Sequence, residues 1–385
     1  MTHMDSIIRQ FSAEGAIHLY SSPPSVLTPA DLYRAKDDAH FRAAIAGSNI
    51  YLITARRRVL INPHNLQLLG RAAYGSFIVM DEQGVQSVPF RYDIPRIGPD
   101  DQDEIEQVLV APNGTHLIIL STSRQMTTAA HIVVANAMSA LEADHRDMNV
   151  LYVGQGIGKV HTRTAVDRLL NHTTLQRILA ETSTNSPELE VSILLYRFEH
   201  GRTMISNGGD LNAEPIASDQ DETAHFERLR NVRLNRDEVV TLAEAALINH
   251  FKPHYNTLLK STNFAANHKI KPLKKLLAKG ITGLTVEICT STLNARLGTR
   301  DALPMELSTF MPADVLEGCN LDSEQEKQAW AEELRVMAHT HYASFPLTTP
   351  QERDTFMHGM VWLGETDREH IWPLPGKGAQ PPATP

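Results

Sequence analysis

The chain has 385 residues, of which 42% are hydrophobic and 21% are charged, so it is long enough to form two or three globular domains. Its 36 Lys and Arg residues against 45 Asp and Glu residues give a net charge of −9, so any affinity for nucleic acid has to come from a local basic patch. Two widely separated cysteines, Cys289 and Cys319, argue against a thiolate zinc site and a disulfide framework. Without a leader-like stretch at the start or an apolar run of roughly 20 residues, we expect a cytoplasmic protein with no membrane span.

The first hundred residues carry the signals of an α+β unit. Thr28, Pro29 and Asp31 predict the start of a helix, and Gly47 predicts its end. Strands and a hairpin turn are predicted to follow at residues 50–54, 59–61, 77–80 and 85–90. We therefore predict an N-terminal α+β domain over residues 1–100, of unknown role.

An acidic, turn-rich segment at residues 98–104 is the predicted boundary to a middle region. There, residues 199–230 are polar and are expected to form an inserted loop. Strands are predicted at residues 115–121, 149–153 and 191–198, and helices at residues 126–143 and 163–180.

The remaining sequence is predicted to form a third unit over residues 258–370. It contains a strand at residues 284–290 and a helix from Ser323, whose Glu326 completes a capping-box pattern. The proline-rich tail at residues 371–385 is expected to be disordered.

The helix predicted at residues 235–251 also begins with a capping-box pattern, Asn235 and Glu238. Because it is apolar on nearly every side, it should be buried. A single carboxylate, Glu244, interrupts its apolar central part. A buried ionised carboxylate is costly unless it is paired with an arginine or bound to a cation. The sequence leaves three interpretations open: a structural Glu–Arg pair, a glutamate at a small solvent gap, and a cation ligand.

A glycine-containing segment, residues 154–159, follows the strand that includes Tyr152, but it matches neither the P-loop nor the dinucleotide-binding pattern. On the next predicted helix, Arg168 and His172 are four residues apart and should share a face. If that face meets Glu244, a guanidinium, an imidazole and a carboxylate converge beside Tyr152. Such a group suits phosphodiester chemistry with a divalent cation.

The basic stretch at residues 252–279 contains seven lysines and no acid. It indicates either a surface for a polyanion or a solvated linker. A small-molecule hydrolase that uses His172 as its base is disfavoured, because no nucleophile elbow is apparent.

The order of these residues resembles that of the GIY-YIG nuclease family. The resemblance covers residues 115–256, about a third of the chain, and includes the second signature triplet, an Arg-x-x-x-His helix, a metal-binding glutamate and a closing asparagine. The residues that carry it are, in chain order, Tyr152-Val153-Gly154, Arg168, His172, Glu244 and Asn256.

The resemblance implies a central domain over residues 115–257 with a small antiparallel sheet of three strands flanked by helices. It implies one Mg²⁺ or Mn²⁺ ion on Glu244 and a transition state stabilised by Arg168. Tyr152 and His172 would position or activate the attacking water and the neighbouring phosphate, with Gly154 and Asn256 in structural roles. The implied reaction is endonucleolytic hydrolysis of DNA, with phosphate contacts expected from Lys159, Lys252, Lys260, Lys269 and Lys271.

One departure from the family concerns the tyrosine that ends its first triplet, thought to be a general base, about a dozen residues before the second triplet. Residues 135–140 occupy that interval and are predicted to be helical, and the nearest upstream tyrosine is Tyr92. The strand at residues 115–121 is then the expected missing edge of the sheet. The alternative is a catalytically inactive nucleic-acid-binding or regulatory protein, with the terminal regions available to a protein partner.

Overall fold

The computed structural model describes residues 10–81, 84–96, 103–156, 165–206, 215–258, 264, 270–309, 311–319, 321–347, 360–362 and 371–373. Its fold is α+β, which confirms the predicted class. The strands are β1 (Glu14–Ser21), β2 (Ser25–Leu27), β3 (Ile50–Arg57), β4 (Val59–Ile61), β5 (Gln67–Leu69), β6 (Ala72–Asp81), β7 (Gly84–Asp93), β8 (Ile105–Val110), β9 (His116–Ser121), β10 (Gln125–Ala129), β11 (Met138–Ser139), β12 (Met148–Gln155), β13 (Leu189–Tyr196), β14 (Phe198–Ser206), β15 (Ile281–Cys289), β16 (Leu297–Gly298), β17 (Thr340–Pro346), β18 (Met360–Trp362) and β19 (Ile371–Pro373).

The helices are α1 (Asp31–Asp37), α2 (Ala39–Ala44), α3 (Ala130–Asn136), α4 (Ala143–Arg146), α5 (Ala165–Leu169), α6 (Thr173–Asn185), α7 (Asp219–Arg230), α8 (Arg236–Phe251), α9 (Lys271–Ala278), α10 (Ala313–Leu316) and α11 (Glu324–Ala338). Within the part of the chain that the structure describes, none of them combines the length and the apolar character that a membrane crossing needs.

The sheet at the centre of the fold has the strand order β16-β12-β3-β13-β2. Strand β3 lies between β12 and β13 and is antiparallel to both. The expectation that residues 115–121 supply the third strand is therefore wrong, because β9 pairs with β8 and β10 in a separate sheet. Strand β3, which the sequence analysis placed in the N-terminal region, lies beside β12 instead. The sheet has five strands with one parallel pair, where the resemblance implies three antiparallel strands.

A second sheet, ordered β14-β1-β15-β17, packs on the opposite side of α8 from the central sheet. Its strands come from the N-terminal, middle and C-terminal regions, so the sheets do not follow the predicted sequential division into residues 1–100, 115–257 and 258–370. Burial between two sheets explains why α8 is apolar on nearly every side, because most of its surface packs against one sheet or the other. The cluster includes Leu19, Leu52, Leu194, Leu247 and Val286.

Residues 59–141 form a unit with its own hydrophobic core, inserted between β3 and β12. It contains the sheet β11-β7-β6-β4, with β5 on β6, and the sheet β10-β9-β8. The helix predicted at residues 126–143 is wrong at both ends. The β-branched Thr127 and Thr128 pair with Ile118 and Leu117 across β9 and β10, and α3 ends at Asn136, before β11.

Three further predictions need correction. The expected loop at residues 199–230 contains β14, which pairs with β1, and α7, which Ser218 caps. The expected helix at residues 163–180 is broken, because α5 ends at Leu169 and α6 begins at Thr173. In the tail expected to be disordered, β19 pairs with β18, and residues 374–385 lie outside the described part.

Both capping boxes are confirmed. Asn235 accepts from the backbone of Glu238 at the start of α8, and the Glu238 side chain accepts from the backbone of Asn235 in return. Ser323 and Glu326 do the same at the start of α11. These pairs satisfy backbone N–H groups that have no partner within the helix, which is why the sequence located both starts correctly.

Acid should destabilise the interface between α8 and β17. His250 Nε2 lies 3.2 Å from His341 Nδ1, and His341 Nε2 lies 2.7 Å from the carbonyl oxygen of Leu297, so both imidazoles are neutral in this arrangement. Burial and the neighbouring His341 lower the pKa of His250 to about 3, and burial lowers the pKa of His341. Both histidines have folded-state pKa values below the unfolded value. Their contribution to the free energy of unfolding is therefore fully present above about pH 6.5 and is lost as the pH falls.

We predict that the free energy of unfolding, measured with urea, falls between pH 7.5 and pH 5 and that His250→Gln reduces this fall by about 1–2 kcal/mol. The substitution of the exposed His64 by Gln is the matched control and should leave the fall unchanged. An unchanged pH dependence in His250→Gln would contradict the neutral pairing.

Candidate functional site

Two tyrosines from distant parts of the sequence meet on one face of the central sheet. Tyr51 on β3 lies directly opposite Gly154 on β12, and Tyr152 lies opposite Ile53. A β-bulge at Leu151 turns Tyr152 to the Tyr51 side, whereas Val150 faces α8. The two phenol rings stack with their centroids 6.2 Å apart.

Gly154 provides the space that these rings occupy. A Cβ atom at this position would lie 2.6 Å from the Tyr51 hydroxyl oxygen and 2.8 Å from the Tyr152 ring, closer than real Cβ contacts allow. The structural role expected for Gly154 therefore has a steric explanation: any side chain here would displace the tyrosine pair.

His172 contacts both tyrosines. Its ring centroid lies 5.9 Å from that of Tyr51 and 5.0 Å from that of Tyr152. It does not share a helix face with Arg168 as predicted, because it is the N-cap of α6 and its Nδ1 accepts a hydrogen bond from the backbone of Leu175. Burial, together with the nearby Arg168, lowers the pKa of His172, so the ring is neutral and carries its proton on Nε2.

Arg168 lies near the end of α5 and is exposed. Burial raises the pKa values of Tyr51, Tyr152 and Glu244, and the positive charge of Arg168 offsets part of each rise. Arg168 is therefore brought to the site from a separate short helix rather than from the helix that begins at His172.

Glu244 projects from the centre of α8 and keeps a partial opening to solvent. Burial raises the pKa of its carboxyl group to about 7, against the opposing effects of Arg168 and a hydrogen bond with the backbone of Gln155. None of the arginines and lysines in the described ranges forms an ion pair with it within 4.0 Å. A locked Glu–Arg pair is therefore not what the structure shows, and the partial opening beside Glu244 fits both other interpretations, a glutamate at a small solvent gap and a cation ligand.

A cleft of about 450 Å³ opens beside Glu244 and Tyr152. Asn256 closes one side of it and is buried. Its Nδ2 donates to the Val153 carbonyl at 2.9 Å, and its Oδ1 accepts from the Val153 N–H at 2.9 Å. Asn256 thus holds the edge of β12 as a neighbouring strand would, one residue from Tyr152.

The predicted phosphate-contacting lysines are only partly described. Lys252 is ion-paired with Asp301 at 3.2 Å, and Lys271 is exposed at the start of α9. Lys275, in the same basic stretch, is ion-paired with Glu238 at 2.8 Å, so acids from elsewhere in the fold neutralise part of the stretch. The other three predicted contacts, Lys159, Lys260 and Lys269, lie outside the described residues.

A group of three metal-ligand types lies elsewhere, at Glu142, Asp144 and His145. Their ligand atoms lie within 4.8 Å of one another, the two carboxylates are exposed, and His145 is buried. This group does not include Glu244, and the sequence analysis did not identify it.

Tyr51 is the site residue that the sequence analysis missed. Its signal was present, because Asn49-Ile50-Tyr51 is a tyrosine-ended triplet at the start of a buried strand, two residues after Gly47. The family has its first tyrosine about a dozen residues before the second triplet, and Tyr51 lies far upstream of that interval. The insertion at residues 59–141 moved the first tyrosine out of that range without moving it away in space.

Comparison with known proteins gives no match to a protein-family model, a curated protein or a solved structure. The assignment of a function therefore depends on the residues and geometry of this chain.

Asn256 should be important for stability. Replacing it by Ala removes two hydrogen bonds and leaves the Val153 N–H and carbonyl without partners. We expect a loss of about 2–3 kcal/mol in the free energy of unfolding, measured with urea. Asn136→Ala, which removes a single exposed hydrogen bond, is the control and should cost less than about 1 kcal/mol. Equal losses in the two variants would contradict this role.

Glu244 should destabilise the metal-free protein at alkaline pH. The folded-state pKa of Glu244, about 7, lies above its unfolded value. The free energy of unfolding therefore falls as the pH rises from the unfolded to the folded pKa, and above pH 7 the full cost of burying the charge applies. We expect Glu244→Gln to raise the free energy of unfolding by about 1–3 kcal/mol at pH 8 and to have little effect at pH 5. The control is Glu227→Gln on the exposed surface of α7, with no effect at either pH. Destabilisation by Glu244→Gln at pH 8 would show that the carboxylate is not strained.

Proposed function

We propose that the chain is a metal-dependent endonuclease that hydrolyses phosphodiester bonds in nucleic acid, with DNA as the first substrate to test. The observation that carries this proposal is the contact of Tyr51 and His172 with Tyr152, which lines one cleft together with Glu244. The charge of Arg168 acts on Tyr152 and Glu244. We place the activity in the cytoplasm, since the free thiols Cys289 and Cys319 suit a reducing compartment.

The donor chemistry at Glu244 fits a hard divalent cation. Mg²⁺ is commonly bound by one or two carboxylates together with water and substrate phosphates, and the cleft beside Glu244 has room for such ligands. A raised carboxyl pKa without a paired base also indicates a group that gains from a cation. Bound there, Mg²⁺ or Mn²⁺ would supply positive charge beside the scissile phosphate.

In this proposal Tyr51 takes the role of the first-triplet tyrosine, to which the family resemblance assigns general-base catalysis. Burial raises the pKa values of Tyr51 and Tyr152, and the negative charge of Glu244 raises both further. Neutralising the Glu244 charge therefore lowers both pKa values and increases the fraction of phenolate, the form of either tyrosine that can accept a proton from an attacking water. The water oxygen then bonds to phosphorus, the bridging phosphorus–oxygen bond breaks, and a proton ends on the released oxygen.

In this proposal Arg168 and His172 bind and position the scissile phosphate. The exposed guanidinium of Arg168 donates to the non-bridging oxygens, whose charge increases as the water oxygen attacks. His172 uses Nδ1 to cap α6, so its remaining nitrogen is a donor in the neutral ring. This favours positioning of phosphate or water by His172 over proton abstraction, and it weakens the hypothesis of a hydrolase with His172 as the base.

The catalytically inactive alternative was motivated by the absence of a first tyrosine, and the stacking of Tyr51 on Tyr152 supports Tyr51 as a candidate for that role. The discriminating experiment is cleavage of supercoiled plasmid and of single-stranded DNA and RNA with Mg²⁺ or Mn²⁺. We expect Glu244→Gln, Arg168→Gln and Tyr51→Phe each to lower the cleavage rate by about 100-fold or more. Glu227→Gln should stay within about twofold of the unaltered protein.

Metal-dependent cleavage that survives Glu244→Gln and Arg168→Gln would assign the activity to a different site. Binding of nucleic acid by the unaltered protein without cleavage of any of the three substrates would instead support the inactive alternative.

A further inference from the structure

Arg177 lies in the wall of the cleft beside Glu244 and Tyr152. It follows His172 by five residues on α6, about 7.5 Å along the helix axis, so it faces a different part of a bound strand from the tyrosine pair. The sequence analysis did not identify it, because an exposed arginine on a helix has no distinguishing pattern.

Contacts on two sides hold the Arg177 guanidinium in place. Its Nε donates to Glu181 at 2.7 Å, and its central carbon lies 5.5 Å from the centre of the Tyr255 ring. The Tyr255 hydroxyl donates to the other oxygen of Glu181, and the Tyr255 backbone N–H donates to the Leu151 carbonyl on β12 at 3.1 Å. The guanidinium is thus fixed relative to the strand that carries Tyr152.

The contacts of Arg177 leave most of its donors available. Within the described ranges, Nε is its one hydrogen-bonding nitrogen, and the side chain is 66% exposed. Two terminal nitrogens therefore face solvent at a cleft that also contains the hydroxyl-bearing Thr174 and the imidazole of His254. A planar fork of N–H donors held in this way matches the oxygens of a phosphate.

We infer that Arg177 binds a non-reacting phosphate of the nucleic-acid substrate, next to the phosphate that is cleaved. The inference rests on the proposed function and adds to it a contact that determines where the strand lies. Glu181 and Tyr255 are positioning residues, because they hold the guanidinium without contacting the strand themselves. Thr174, at the first turn of α6, contributes a hydroxyl donor to the same phosphate.

The chain offers a close control for this contact. Arg34 on α1 is 63% exposed, forms an i,i+4 ion pair with Asp38 and has its guanidinium 4.8 Å from the centre of the Phe41 ring. It therefore repeats the contacts of Arg177 with a carboxylate and an aromatic ring, and it does not line the Glu244 cleft. Arg34→Gln and Arg177→Gln remove the same charge from similar surroundings.

The test is the affinity of the full chain carrying Glu244→Gln for a fluorescently labelled DNA duplex, measured at several salt concentrations without divalent cation. We expect Arg177→Gln to weaken DNA binding by about threefold to tenfold. The plot of the logarithm of the binding constant against the logarithm of the salt concentration should also become less steep, by about one unit of slope. Arg177→Lys should recover part of the affinity, because it restores the charge without the fork. Arg34→Gln should change neither quantity.

Cleavage assays with the catalytically intact chain complete the test. Arg177→Gln should raise KM by a similar factor and leave kcat within about twofold, since the phosphate it binds does not react. Affinity and salt slope that match those of Arg34→Gln would overturn the inference, while metal-dependent cleavage by the unaltered protein would leave the proposed function standing. Absence of both binding and cleavage in the unaltered protein would overturn the two together.

Discussion

The desolvation of one carboxylate is the constraint on which the rest of the site depends. Helix α8 is buried between two sheets, so Glu244 at its centre loses most of the water that would stabilise its charge, and its pKa rises to about 7. Arg168 and the backbone of Gln155 offset only part of this cost. An ionised carboxylate held in this way at a cleft destabilises the free protein, and a cation bound beside it would offset that cost. A carboxylate that binds a metal requires this property.

The remaining residues reach Glu244 through an arrangement of strands that the chain order conceals. Strand β3 lies between β12 and β13 although a unit with its own core separates β3 from β12 in sequence. The pairing of β3 with β12 brings Tyr51 beside Tyr152, and the bulge at Leu151 places both on the face that meets His172. The insertion is tolerated because it begins and ends at neighbouring positions of paired strands, where long connections cost little.

Local signals in the sequence predicted part of the local structure and missed the breaks in the helices predicted at residues 126–143 and 163–180. The capping residue Asn235, the apolar character of α8 on nearly every side and the apolar run of β13 depend on neighbours within a few positions, and the lone Glu244 stood out against them. Tyr51 could not be connected to Tyr152 in this way, because their proximity is set by strand pairing across an insertion. The role of His172 as an N-cap, and the break in the helix that creates it, depend on packing against the same two tyrosines. The place of Arg177 in the site could be recognised only from the cleft that it lines, which the sequence does not show.

The most direct measurement of the central claim is the position of a bound cation. Crystals soaked in Mn²⁺ and measured at a wavelength that gives anomalous scattering from manganese should show a peak coordinated by the Glu244 carboxylate, in the cleft beside Tyr152. That peak should be absent in Glu244→Gln crystals treated in the same way. A saturating soak that places manganese at Glu142, Asp144 and His145 and leaves Glu244 without density would contradict the account.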